Sequence, residues 1–212
     1  MAAAALGLLL SSLASSATEF NDDSPLAMPS PGAHRLRVLS SDVLELTLIT
    51  TKQPDPARPT QWDFVEADSQ LRMPSPKSFI VSVGDKTISV HSVGFKRRVL
   101  YAPLRQRDLR IGNYLYLQLA SPIADGQRVE VKNPDATLWP AAMQFTATAE
   151  ASRWSPAIHV NQAGYLPAFP KKAMVGFYLG SLGELNVSGE PGFKLVEAAS
   201  GKEVFHGQLV PR

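Results

Sequence analysis

Hydrophobic and polar positions alternate along most of this chain with the period of two expected of half-buried strands. Leu36 and Val38 alternate with Arg35 and Arg37, and Leu44, Leu46 and Leu48 alternate with Glu45 and Thr47. Leu115, Leu117 and Leu119 take one face of a further segment, with Tyr114, Tyr116 and Gln118 on the other. Strand character recurs at Trp62 to Glu66, Ser78 to Val83, Thr87 to Val93, Gln127 to Lys132 and Met143 to Thr148. Gly84-Asp85 predicts a tight hairpin turn, though in the less favoured order for a two-residue loop, and Asp125-Gly126 predicts another. Seven to eight strands over residues 34–148 suffice for one complete sandwich.

Residues 149–155 read as a connector, after which the pattern resumes. Ile158 and Val160 flank His159 as a short strand with one buried face, and His159 falls on an exposed face or an interface. Gly164 can take positive φ, and Pro167 and Pro170 stop regular pairing. Beyond Lys171 and Lys172, Ala173, Val175, Phe177 and Leu179 line one face of a second strand, and Glu203 to Leu209 is strand-like again. This strand, the Asn161-Gln162-Ala163-Gly164-Tyr165-Leu166-Pro167 corner, the lysines and the second strand resemble the start of the N-terminal immunoglobulin-like domain of family 9 glycoside hydrolases. The resemblance covers residues 156–212, about a quarter of the chain. It implies that Asn161, Gln162, Gly164 and Tyr165 belong to a domain interface, with Ile158, Val160, Phe177 and Phe193 as scaffold or interface residues. It also implies a helical catalytic domain of the same chain as the partner of this region.

The expected fold class is therefore all-β, with two tandem immunoglobulin-like β-sandwiches. The second is expected to be truncated, since 57 residues from Pro156 to Arg212 fall short of the ~100 that such a sandwich needs. The first sandwich is loosely similar to bacterial immunoglobulin-like modules through Leu44-Glu45-Leu46-Thr47-Leu48 and Ala124-Asp125-Gly126-Gln127-Arg128-Val129-Glu130-Val131.

Composition narrows the functional classes. A 44% hydrophobic content is that of an ordinary globular chain, and the 17 prolines and 14 glycines favour short strands joined by turns. A formal net charge of +2 gives no reason to expect a nucleic-acid or membrane partner. Residues 1–17 carry an apolar run from Ala2 to Leu10, then small residues to Ala17, which predicts a signal peptide lacking a basic n-region. The expected location is secreted or periplasmic. Residues 18–33 read as a flexible lead-in. There is no cysteine, hence no disulfide framework and no lipoprotein acylation site.

Candidate chemistry is sparse. Glycoside hydrolysis needs two carboxylates facing one bond. The family carries its pair in the helical domain, partly in an Asp-Ala-Gly-Asp motif that does not occur here, so no catalytic residue is assigned. Asp22-Asp23, the adjacent acidic pair, lies in the lead-in. His34, His91, His159 and His206 lack metal-ligand spacing, and no metal or cofactor is expected. No nucleophile elbow or phosphate loop is present. Asn186-Val187-Ser188 is a formal glycosylation sequon, relevant only in a eukaryotic secretory host.

Two patches could bind ligand. Tyr114 and Tyr116 on one strand face, with Trp139, could form a platform that stacks on pyranose rings, against a simpler packing role. Lys96, Arg97, Arg98, Arg105, Arg107 and Arg110, with Tyr101, could bind an acidic polysaccharide, although a charge-guarded edge strand accounts for them more simply. The reading these observations favour is the non-catalytic N-terminal part of a secreted enzyme acting on β-1,4-glucans. In it, the second sandwich packs as a scaffold on the helical domain and polysaccharide is the substrate. The alternative is a carbohydrate-binding or cell-surface adhesion protein made only of sandwiches.

Overall fold

The computed structural model describes residues 28–51, 62–66, 68–102, 109–161, 163–187 and 192–210. The expected signal peptide, most of the expected lead-in, residues 52–61, Arg105, Arg107, Gln162 and Ser188 lie outside the described residues. No helix among those described is long and apolar enough to cross a membrane.

The fold is all-β. Eight strands form two four-stranded antiparallel sheets: β1 (His34–Val38), β2 (Val43–Thr50), β3 (Ile80–Val83), β4 (Lys86–Ile88), β5 (Val90–Tyr101), β6 (Arg110–Leu119), β7 (Arg128–Lys132) and β8 (Phe145–Thr148). One sheet has the order β1-β2-β6-β5 and the other β4-β3-β7-β8. Named A to G in chain order, with a C′ strand after C, these are the A-B-E-D and C′-C-F-G sheets of an immunoglobulin-like sandwich.

The alternating leucines fill the space between the sheets. Leu36, Leu44, Leu46, Leu48, Leu115 and Leu117 meet Val81, Val129, Val131 and Phe145 in one core. Trp139 packs edge-on to Phe145 with ring centroids 4.8 Å apart, and Trp62 stacks on Phe145 from 6.1 Å. The buried Trp62 indole N–H donates to the Leu138 carbonyl at 3.0 Å. Its polar edge is thereby satisfied inside apolar surroundings.

Three local expectations are corrected. Trp62 to Glu66 is no strand, and contributes only an isolated bridge between Val65 and Leu71. Thr87 to Val93 spans two elements, because the chain crosses between sheets after β4, and β5 then continues to Tyr101. The Gly84-Asp85 order suits its turn: positive φ falls on Gly84 alone, as a type II′ hairpin requires of its first central residue.

The remaining strands do not form a second closed sandwich among the described residues. β9 (Ile158–His159) pairs with β10 (Met174–Val175), and β11 (Gly192–Val196) pairs with β12 (Glu203–Gln208), each pair as a separate two-stranded ladder. The expected strand through Ala173, Val175, Phe177 and Leu179 is shorter than its pattern. After Val175 the chain turns aside into a 3-10 turn at Gly180–Leu182, leaving Tyr178 bridged only to Glu184.

Candidate functional site

The period of two makes Glu45, Thr47, Tyr114 and Tyr116 an outer, solvent-facing row, but β2 and β6 are buried on both faces. Their register builds two straight rows across the sheet. In one, Arg37, Glu45, Tyr116 and Gly94 lie side by side, and in the other Arg35, Thr47, Tyr114 and Lys96. Over them, Tyr114 and Tyr116 join Leu39, Val43, Ala157, Leu179 and Leu185 in a second apolar cluster flanked by Phe177 and Leu182. Residues beyond the connector thus close the outer face of the first sandwich.

Close approach is possible because glycine stands on both sides. A methyl on Gly94 would lie 2.5 Å from Leu182 Cγ, and one on Gly180 would lie 2.1 Å from the Phe95 carbonyl oxygen. Gly180 also holds φ at +64°, which few side chains tolerate. The outward N–H of Phe95, on the edge strand, donates to the Ser181 hydroxyl at 3.0 Å. The turn therefore covers both the face and part of the open edge of this sheet.

Charge is built into the contact. Arg37 pairs with Glu45 at 2.9 Å while Glu45 is only 1% exposed, and the guanidinium sits 4.4 Å beneath the Trp154 ring. Lys96 donates to the Tyr178 carbonyl at 2.8 Å and lies 4.3 Å from the Phe177 ring centre, with Tyr116 at 5.2 Å and Tyr114 at 5.4 Å. Burial lowers the Lys96 amine below the usual lysine range, against the raising influence of Glu45, while Arg98 lowers it further. Burial, reinforced by the Glu45 carboxylate, drives the Tyr116 phenol far above the usual tyrosine range. Among the described residues the Tyr116 hydroxyl makes no well-formed hydrogen bond, and the Glu45 carboxylate is its polar neighbour.

This arrangement rules out an exposed sugar platform from Tyr114, Tyr116 and Trp139. The two tyrosines are buried beneath the covering segment, and Trp139 is buried in the core between the sheets, on the opposite side of the sheet that carries them. Alternation places the tyrosines on the outer face but carries no information about what covers that face. The basic run is engaged within the molecule where it is described. Arg97 contacts Asn113, Asp63 and the Trp62 carbonyl, Arg98 reaches the Tyr114 hydroxyl, and Arg110 donates to the Pro29 carbonyl.

The motif corner is a turn closed on itself. Asn161 Oδ1 accepts from the Ala163 N–H at 3.0 Å, and the Asn161 carbonyl accepts from Gly164, whose φ is +92°. The Tyr165 hydroxyl accepts from the Asn161 N–H at 3.0 Å and donates to the Lys172 carbonyl. Asn161, Gly164 and Tyr165 therefore fix one loop, with Tyr165 still 37% exposed. His159 is exposed, its Nε2 3.0 Å from the Gly176 carbonyl oxygen.

Two strand pairs of this region carry apolar faces left exposed among the described residues. Ile158, Val160 and Met174 are each more than half exposed. On the β11–β12 hairpin, Phe193, Leu195 and Phe205 share one face, with the Phe193 ring lying over Gly207. Its other face carries Lys194, Glu203 and His206 in contact with one another.

Residues 153–212 match the family model of the cellulase N-terminal ig-like domain. No curated protein and no solved structure matches the chain. The match accounts for the Asn-Gln-x-Gly-Tyr corner and everything after it, and leaves the first sandwich outside the matched range.

Proposed function

We propose that this chain is the non-catalytic N-terminal part of a secreted or periplasmic glycoside hydrolase acting on β-1,4-glucans. The observation that carries the reading is the match of residues 153–212 to a cellulase N-terminal domain. The exposed apolar faces support it. Phe193, Leu195 and Phe205 on one hairpin face, and separately Ile158, Val160 and Met174 on the β9–β10 pair, are exposed apolar side chains suited to cover by an apolar partner. In this reading that partner is the helical catalytic domain of the same polypeptide, and the matched region is its scaffold. Polysaccharide is bound and cut by the catalytic domain.

Inverting hydrolysis needs two carboxylates roughly 6.5–9.5 Å apart, one protonated in a partly dry cleft. Among the described residues the buried carboxylate of this sandwich, Glu45, is paired with Arg37. The test is reducing-sugar release from carboxymethylcellulose and mixed-linkage β-glucan. The purified 212-residue chain releases none, while the polypeptide that joins it to its catalytic domain does. Hydrolysis by the 212-residue chain alone would overturn the reading.

A further inference from the structure

We infer that the first sandwich is a positioning module whose outer sheet face is a dedicated docking surface for residues 177–185. It therefore holds the cellulase-type region as one rigid body with itself, and does not bind carbohydrate on that face. The inference goes beyond the proposed function and holds whether or not the polypeptide hydrolyses glucan.

Four features of different kinds converge on the same few residues. The contact is shaped, since Gly94 and Gly180 each stand where a single methyl would collide with the other side. It is directional, since the Phe95 N–H and the Lys96 ammonium each find an acceptor across it, on Ser181 and Tyr178. It is apolar at its centre, where Tyr116, Leu179 and Leu185 are buried together. It is also charged in a way an open sheet face would not require. Glu45 and Arg37 are withdrawn from water as a pair, and Lys96 lies among the Tyr114, Tyr116 and Phe177 rings. Arg37 and Glu45 are cross-strand neighbours within the sandwich, so they neutralise each other and let this face be covered without leaving a charge unmatched. Lys96 gives the contact its direction, because sliding the covering segment by one residue would separate its ammonium from the Tyr178 carbonyl. Shape, edge capping and charge thus select one orientation of the covering segment.

The chain has no cysteine, so two introduced cysteines can be spin-labelled uniquely. Lys86→Cys on the β3–β4 hairpin and Glu184→Cys beyond the turn are both at exposed positions. In the whole chain the label-to-label distance distribution should be single and narrow. Gly94→Ala should broaden it by driving Leu182 outward, and adding Leu182→Ala should narrow it again, a rescue that a general loss of stability would not give. Lys96→Met keeps the packing and loses the directional bond, and should add a second population. Should Gly94→Ala fail to fold, the Lys96→Met distribution decides. A broad distribution in the unmutated background, or one unchanged by both Gly94→Ala and Lys96→Met, would overturn the inference.

Discussion

Glu45 and Tyr116 stand directly opposite each other on β2 and β6, and both side chains are withdrawn from water, at 1% and 0% exposure. A carboxylate beside a buried phenol makes ionisation of that phenol in place very costly. The pair lies on the sheet face that the alternating sequence pattern would give to solvent. Its burial records that this face is an interface.

The alkaline limit of stability should therefore trace to Tyr116. Its folded pKa is raised above the ordinary 10.0. The resulting stability is complete below pH 10 and is lost as pH climbs past it, at up to about 1.4 kcal/mol per pH unit. Lys96 acts in the opposite sense. Its folded pKa is lowered from 10.5, so the folded state binds fewer protons and stability rises with pH between the lowered value and 10.5. Denaturant midpoints measured from pH 7 to 11 should flatten on the alkaline side in Tyr116→Phe and lose the preceding rise in Lys96→Met. An alkaline fall unchanged in Tyr116→Phe would contradict the assignment.

At neutral pH, Tyr116→Phe should be close to neutral or slightly stabilising. The hydroxyl it removes is buried and makes no well-formed hydrogen bond among the described residues, so its desolvation is poorly compensated. Urea unfolding at pH 7 checks this, and a loss of more than about 2 kcal/mol would point to a hydrogen bond made by that hydroxyl.

Arg37→Ala should be severe, costing about 3–5 kcal/mol, because it strands the Glu45 carboxylate out of water. Arg37→Met with Glu45→Leu together should recover most of that loss. Equilibrium unfolding of Arg37→Met, Glu45→Leu and the double variant gives the coupling. An Arg37→Ala protein within about 1 kcal/mol of the parent would show the pair to be as weak as a surface ion pair.

How much was legible in the sequence follows from which forces are local. Leu44, Leu46 and Leu48 announced their strand and its inward face because the pleat alone fixes them. The Asn161-to-Tyr165 corner was visible because its hydrogen bonds close within a few residues. What covers the outer face was not visible. The contact joins Gly94 to Leu182 and Phe95 to Ser181, nearly ninety residues away, and no period in either segment encodes it. For that reason the pattern alone offers Tyr114 and Tyr116 to a sugar platform. The strand that the pattern predicts through Phe177 and Leu179 stops short for the same reason, since those side chains turn to the first sandwich instead of extending a ladder of their own. One signal was present. Gly94 interrupts an otherwise bulky strand, and a glycine inside a strand often marks close approach by another part of the chain.

Trp139 should behave as a core residue. Trp139→Ala should cost about 3–5 kcal/mol, whereas Trp139→Phe should leave retention on insoluble cellulose unchanged in a folded protein. A specific loss of retention in Trp139→Phe, with stability kept, would restore the platform from which the structure removes this ring.

The most direct measurement on the central claim, that residues 177–185 sit fixed on the outer face of the first sandwich, is the exchange rate of one backbone amide. The Phe95 N–H lies on an edge strand and points at the Ser181 hydroxyl. In the parent chain it should exchange slowly, along with the ladder amides inside the sheet, and in Ser181→Ala it should exchange faster while the Leu115 and Leu117 amides remain protected. A Phe95 amide that exchanges at the rate of an open edge in the parent chain would contradict the account.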